Sequence, residues 1–158
     1  MCHPSTYSLV LTNLHGKVIA MCWFGEPKPS DKELGQGYRL FRLVNAERQK
    51  HNLPRLMPLE ALDNAAWKRA RDMAKPNHKK GDQDTEGLYP NDRAKKAGYT
   101  SPISEARADN ARSAKAVVGG WMTNPEDRKK LLRRDFTVTG VAFHRNHYVQ
   151  VFGHDSRK

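Results

Sequence analysis

His78 is the residue whose type and position most readily suggest chemistry. It stands in a polar loop directly after a well-formed helical pattern, and acidic residues alternate downstream of it at Asp82, Asp84 and Glu86. A twelve-residue calcium loop would need a glycine and a final glutamate at positions where this segment has neither. We therefore interpret the three carboxylates as a solvated acidic loop and keep His78 as a candidate metal ligand.

Other reactive side chains carry weaker signals. His144, His147 and His154 lie in or after a C-terminal hairpin pattern, where exposed turn histidines are ordinary. The sequence lacks the phosphate-binding glycine loop, the dinucleotide-binding turn, the nucleophile elbow of hydrolases and the zinc-protease helix motif. Cys2 and Cys22 are the only cysteines, so they could form one disulfide in an oxidising compartment or remain free thiols.

The chain is strongly basic. Its 158 residues contain 28 Lys and Arg against 17 Asp and Glu, which gives a net charge of +11. This balance favours anionic partners, but solvated helix faces explain most of the charges because no RRM, KH or helix-turn-helix pattern accompanies them. The basic clusters are Lys79-Lys80, Lys95-Lys96, Arg128-Lys129-Lys130 and Arg133-Arg134.

No stretch approaches the roughly 20 apolar residues of a membrane span, so we expect no integral membrane protein.

The composition pattern divides the chain near residue 31. Residues 1–31 are predicted to form an N-terminal extension, and residues 32–158 are predicted to form one domain. Two β-rich runs, Tyr7–Thr12 and Val18–Phe24, flank a turn at His15-Gly16 and indicate a β-hairpin, which a proline-containing linker follows. The N-terminus lacks the positive charge and the uninterrupted apolar run of a secretory signal peptide.

The domain shows helical patterns followed by strand patterns, which predicts an α+β fold. Apolar residues repeat at helical spacing from Leu34 onward, and Pro58 is predicted to open a second helix that ends at Pro76. The basic residues Lys68, Arg69, Arg71 and Lys75 are assigned to the solvent side of that second helix. The shorter predicted elements are helices 92–97, 114–122 and 126–132, capped by Asn91, Ser113 and Asn124, and hairpin strands 136–143 and 148–152.

Six segments occur in an informative order. They are Leu43–Arg48, Leu53–Leu56, Leu59–Ala74, His78 with Pro90–Tyr99, Trp121–Arg128, and Phe136–Val141 with Tyr148–Gly153. In this order they resemble the bacterial branch of the CAP superfamily, the SCP-like domain of cysteine-rich secretory proteins, antigen 5 and pathogenesis-related proteins. The resemblance covers roughly Leu40 to Gly153. It implies a three-layer α-β-α sandwich with a central antiparallel sheet and a cleft.

The same resemblance implies a set of cleft residues. Typical members gather two histidines and two acidic residues, sometimes around a divalent metal. His78 matches the first histidine and Glu105 matches an acidic position, whereas Asp127, followed by Arg128, replaces the second histidine. Imidazole suits zinc, and a carboxylate in its place shifts preference toward magnesium, calcium or manganese. His78, Glu105 and Asp127 could hold such a metal, but we favour a degenerate site in which Asp127 pairs with His78 or Arg128.

The resemblance also implies an extracellular or cell-envelope protein that acts by binding. We predict a non-enzymatic module for lipid or an anionic envelope polymer, with no required cofactor and with peripheral membrane contact allowed. The alternative is a metal-assisted hydrolase, in which His78 is the general base and Glu105 orients it or carries a proton. A nonspecific nucleic-acid binder is the third hypothesis. The oligomeric state and the nucleophile of a hydrolase are left open.

Overall fold

The computed structural model describes residues 27–155, together with the backbone of two short strands near the N-terminus. These strands are β1 (Leu11–Thr12) and β2 (Val18–Ala20), and they pair antiparallel. The rest of the predicted N-terminal hairpin, with Cys2 and Cys22, lies outside the described residues. The chain divides into two compact units, Met1–Ser30 and Asp31–Lys158. All the predicted site residues belong to the second unit.

Helices and strands of the second unit confirm the predicted α+β class. In chain order they are α1 (Asp31–Lys50), β3 (Met57–Pro58), α2 (Glu60–Met73), α3 (Pro90–Lys96), β4 (Ser104–Ala108), α4 (Ala114–Thr123), α5 (Pro125–Leu131), β5 (Val138–His144) and β6 (His147–Gly153). β4 was not among the strands predicted from residue pattern. Pro58 does not open α2 as predicted, because it lies in β3 and the extended Leu59 is the N-cap.

The four strands of this unit form one sheet in the order β3-β5-β6-β4. β4, β5 and β6 pair antiparallel as predicted, whereas the two-residue β3 joins β5 in parallel. β5 and β6 form the predicted hairpin. Its turn residues, Arg145 and Asn146, have φ of 44° and 69°, as a two-residue type I′ turn requires.

Side chains of β5 alternate between two helical layers. A Cβ added to Gly140 would overlap the backbone of Leu62 and Asp63 in α2, whereas Val141 lies against Gly37 of α1. Because successive strand residues point to opposite faces, α1 and α2 cover opposite faces of the sheet. α3 packs on α2, while α4 and α5 pack in the layer of α1. These contacts confirm the predicted three-layer sandwich.

The main apolar core lies between the sheet and the α1 layer. Its members come from all three helices of that layer and from the sheet face that they cover, and they include Leu40, Val44, Trp121, Leu131, Phe143, Tyr148 and Phe152. Arg48 is fully buried beside this core. Its guanidinium donates to the carbonyl oxygens of Leu131 and Arg133 at 2.8 and 2.9 Å, and burial lowers its pKa. Arg48 therefore ties α1 to the end of α5.

Local caps define the short helices. Ser113 and Asn124 cap α4 and α5 as predicted, accepting bonds from backbone N–H groups of the first turn. The predicted Asn91 cap is wrong. Tyr89 is the N-cap of α3, and its backbone N–H donates to Asp92 at 3.0 Å. Asn91 instead accepts a bond from the Ile103 backbone N–H at 3.0 Å, which holds the segment before β4 against α3.

Candidate functional site

Glu105 lies at the centre of the candidate site, on the sheet face that α2 and α3 cover. It is the second of the five residues of β4 and pairs with Val151 of β6, while its neighbour Ala106 points into the core on the other face. The carboxylate is almost completely enclosed, with only 4% of the side chain exposed. Edge-strand β4 therefore carries an acidic group into the space between the sheet and α2.

Three guanidinium groups surround Glu105. Arg93 of α3 donates to both carboxylate oxygens, with its Nη2 at 3.1 Å from Oε1 and 3.0 Å from Oε2. Arg69 of α2 places its Nε 3.8 Å from Oε1, and Arg107 of β4 places its Nε 3.6 Å from the same atom. Arg69 and Arg93 are fully buried, and burial lowers the pKa of Arg69 although Glu105 opposes this effect. One buried carboxylate thus balances part of a larger positive charge.

Asp72 connects His78 to this cluster. Its Oδ2 lies 3.3 Å from Nη1 of Arg69 and 3.5 Å from Nδ1 of His78. Burial alone would raise the pKa of Asp72, but hydrogen bonds from Thr85 and Lys75 bring it below its ordinary value. The imidazole therefore faces, at ion-pair distance, a carboxylate that was not among the predicted site residues.

The loop between α2 and α3 folds around the same guanidinium groups. Arg69 donates to the Gly81 carbonyl oxygen at 2.5 Å, and Arg93 donates to that of Leu88 at 2.6 Å. Arg107 also donates to the Gly81 carbonyl oxygen, and the φ of 119° at Gly81 is one that glycine adopts readily. The buried arginines therefore add donors to the carbonyl oxygens of this irregular segment, beyond the hydrogen bonds within the loop itself.

Two predictions for this region are wrong. Arg69 was assigned to the solvent side of α2, but it is fully buried. Asp84 was assigned to a solvated acidic loop, but it is buried and accepts bonds from the Glu86 and Leu88 backbone N–H groups at 3.0 and 2.8 Å. Only Asp82 and Glu86 are exposed as predicted.

The sequence contains a signal that Arg69 is buried. The residue lies three positions after Ala66 and four before Met73, which places it on the apolar stripe of α2. A basic residue on a buried stripe needs acidic or carbonyl partners, and Glu105 supplies one from a distant segment. Asp72 and Arg107 carried no comparable signal in the sequence.

The buried cluster retains unused hydrogen-bonding capacity. Within residues 27–155, four of its polar atoms are buried and have no hydrogen-bond partner, although some lie at ion-pair distances. They are Nδ1 of His78, Nε of Arg69, Nε of Arg93 and Oδ2 of Asp84. Three of the four belong to arginine or histidine, so the cluster would more readily accommodate an acceptor than a cation.

Asp127 and Arg128 belong to a different layer. They lie on α5, whose Leu131 packs into the core on the face opposite Glu105. The Asp127 carboxylate pairs with Lys130 at 3.1 Å, and Arg128 is exposed. The structure therefore joins His78 to Glu105 through Asp72 and Arg69, but it shows no contact of Asp127 with this chain of residues.

The donors around Glu105 bear on the predicted metal set of His78, Glu105 and Asp127. In the described part of the chain, no group of three or more His, Cys, Asp or Glu side chains is arranged to hold a metal ion. Both oxygens of Glu105 already face guanidinium groups, and the positive charge there would repel a divalent cation. The immediate surroundings of Glu105 therefore do not fit a metal ion. The joint assignment of His78, Glu105 and Asp127 as metal ligands stays a prediction.

The C-terminal histidines each face a carboxylate. Nδ1 of His144 lies 2.5 Å from Glu33, and Nδ1 of His147 lies 3.1 Å from Asp109. Nε2 of His154 lies 3.6 Å from Asp135. These pairs account for the three histidines as structural groups.

Comparisons with known proteins show which protein family this chain matches. A model of the cysteine-rich secretory protein (CAP) family matches residues 41–152. The chain is 32% identical to the uncharacterized protein YkwD of Bacillus subtilis over 106 residues, which cover 66% of this chain and 41% of that protein.

Solved structures agree with this match. An extracellular protein containing an SCP domain from Bacillus anthracis has a TM-score of 0.75 and 26% identity, over 83% of this chain and 45% of that one. An outer surface protein of Borrelia burgdorferi shares the fold with a TM-score of 0.68 and 21% identity, over 83% and 98% of the two chains. The chain spans less than half the length of both Bacillus proteins. None of the helices in its described part could cross a membrane.

Proposed function

Because the chain belongs to the cysteine-rich secretory protein (CAP) family, we propose that it is a non-enzymatic binding module that attaches to an anionic component of the cell envelope. The Bacillus anthracis relative is described as extracellular and the Borrelia protein as an outer surface protein, which supports this location. The net charge of +11 supports an anionic partner.

The enclosure of Glu105 is the observation that carries the non-enzymatic assignment. A general acid or base needs a free lone pair or proton within reach of a substrate. Both oxygens of Glu105 accept from Arg93, and its side chain is only 4% exposed. The carboxylate therefore stabilises three arginines and the loop that they hold, rather than a reacting group.

His78 offers weaker support for a hydrolase. Its imidazole faces Asp72, which resembles the way a carboxylate orients a catalytic base, and 13% of the side chain is exposed. The hydroxyl group next to this pair belongs to Thr85, which donates to Asp72 and so cannot act as a free nucleophile. Hydrolysis therefore remains the second hypothesis.

Sedimentation with anionic and neutral matrices tests the proposal. The purified chain is mixed with a phosphate-bearing polymer, with phosphatidylglycerol vesicles, and with dextran and phosphatidylcholine vesicles as neutral controls. We expect retention on the anionic matrices at low salt and release as the ionic strength rises, because salt screens exposed charges. Retention no higher than that of a neutral protein of similar size would refute the proposal.

A hydrolysis assay separates the two hypotheses. Ester and peptide libraries are incubated with the wild type and with His78→Ala. We expect no turnover above background in either case. Turnover by the wild type that His78→Ala abolishes would support a hydrolase instead.

A further inference from the structure

We propose that the outward face of α5 is the docking surface for a phosphodiester-bearing polymer. This inference rests on the proposed function and specifies the surface and the class of partner. The surface, called the α5 face below, is an open depression lined by Pro125, Arg128, Lys129, Leu132 and Arg133.

Helical geometry places these residues together. Arg128 and Lys129 lie on α5, Leu132 is its C-cap one turn after Arg128, and Arg133 follows the cap, so the four residues border the same depression. Leu131, the last residue of α5, is fully buried in the core and does not line this surface.

Two cations of the α5 face are available for a ligand. Arg128 and Lys129 are exposed, and neither has an acidic partner among the described residues. The nearby Asp127 carboxylate pairs with Lys130 at 3.1 Å instead. The positive charge of Arg128 and Lys129 is therefore not neutralised within this part of the protein.

Arg133 adds a third, partly engaged cation. Its Nε and Nη2 lie 2.6 and 2.8 Å from the two oxygens of Asp135, and its guanidinium stacks 4.7 Å from the centre of the Phe136 ring. These contacts hold the Arg133 side chain at the margin of the depression. Arg128 and Lys129 then supply the uncompensated charge.

The α5 face suits a phosphodiester polymer that lacks nucleobases better than it suits a lipid bilayer or a nucleic acid. Guanidinium and ammonium groups both bind phosphate oxygens well. The large hydrophobic side chains exposed in the described part of the chain lie elsewhere, at Leu34, Tyr38, Met57 and Tyr89. Pro125 and the half-buried Leu132 are the apolar residues that line the α5 face, so it offers neither a large exposed apolar anchor for insertion into lipid nor an aromatic platform for base stacking.

Fluorescence anisotropy with labelled synthetic poly(glycerol phosphate) tests the inference. The variant Arg128→Gln/Lys129→Gln is compared with Lys95→Gln/Lys96→Gln, which removes the same charge from exposed positions of α3. α3 packs in the other helical layer, so this control keeps the α5 face intact. Circular dichroism melting shows whether each variant is folded.

We expect the α5 variant to bind on the order of tenfold more weakly and the slope of log affinity against log salt to flatten by about 1.4. The α3 variant should retain affinity within about twofold of the wild type, since its lost charges face elsewhere. Equal losses in the two variants would overturn the α5 face but leave the proposed function standing.

Competitors test the class of partner. A random DNA duplex and phosphatidylglycerol vesicles are compared with the polymer at equal phosphate concentration. Preference for the polymer supports the inference, whereas stronger binding to DNA or to vesicles overturns it. Failure of the wild type to bind any of the three would overturn the proposed function as well.

Discussion

Charged side chains in this protein divide into a buried network and a solvated surface. Arg69 and Arg93 are fully buried and Glu105 is nearly so, although arginine and glutamate are rarely buried without partners. Their mutual contacts compensate for the loss of hydration, and their remaining donors bind loop carbonyls. Residue identity alone does not separate these arginines from the exposed Arg128 of α5.

Removing the central carboxylate should destabilise the fold. In Glu105→Gln, three guanidinium groups lose their shared anion, so we expect the free energy of unfolding to fall by about 3 kcal/mol. The matched control is Asp82→Asn, because Asp82 also pairs with Arg107, at 2.8 Å, but its side chain is 69% exposed. An exposed pair of this kind contributes about 1 kcal/mol or less. Urea denaturation measures both values, and equal losses would contradict the central role of Glu105.

Asp63 should make the stability depend on pH. The pKa of this α2 carboxylate is raised from 3.8 to about 7, chiefly because burial disfavours the charged form. A hydrogen bond from the Val141 backbone N–H lowers the pKa in part, and the nearby charge of Glu60 raises it further. The native state therefore binds more protons than the unfolded state between about pH 4 and pH 7. The contribution of Asp63 to stability is fully present below pH 4 and is lost as the pH rises through 7.

Asp63→Asn isolates this contribution, because the amide oxygen can still accept from Val141. The change from 3.8 to about 7 corresponds to at most about 4 kcal/mol, and we expect less because the residue is only half-buried. Urea denaturation at pH 4, 6 and 8 should show the variant gaining stability relative to the wild type as the pH rises. A constant difference across this range would contradict the prediction.

Elements of the domain depend on close approach between α2 and β5. Gly140 of β5 permits this approach because it has no side chain. The α2 backbone at Leu62 and Asp63 occupies the space that a Cβ at position 140 would need. The same approach brings the Asp63 carboxylate within 2.8 Å of the Val141 nitrogen. The α2 layer is therefore positioned by backbone contact as well as by side-chain packing.

Gly140→Ala should displace α2 from the sheet. We expect a loss of at least about 3 kcal/mol in the free energy of unfolding, since backbone atoms cannot move aside as a flexible side chain can. Gly119→Ala is the matched control on α4, where a Cβ would meet no atom within 4 Å. That change should be neutral or stabilising by up to about 1 kcal/mol. Thermal and urea denaturation compare the two, and a Gly140→Ala protein as stable as Gly119→Ala would refute this packing.

At the scale of the whole domain, the sheet separates two groups of charged residues. The buried network of Glu105 and Asp72 lies on the α2 side, whereas the α5 face lies in the layer of α1. A substitution such as Arg128→Gln should therefore change binding without changing the environment of Glu105. This separation allows binding and stability to be tested independently.

The residue pattern was sufficient for the order and type of most elements. Helical spacing predicted α1 and α2, the caps Ser113 and Asn124 predicted α4 and α5, and the hairpin of β5 and β6 followed from alternation around a polar turn. These features depend on bonds between residues close in sequence, so local residue types determine them. The family resemblance supplied the three-layer arrangement and the positions of His78 and Glu105.

The tertiary structure alone decided the partners of the buried charges. Glu105 meets Arg69 and Arg93 only because β4, α2 and α3 pack together, and Asp127 is kept apart from it because α5 covers the opposite face of the sheet. Pairing between side chains far apart in sequence depends on how layers pack, and no local pattern encodes it. The sequence by itself therefore determined the elements, the basic charge and the family, whereas the packing of the layers determined which charges are neutralised and which remain available to bind.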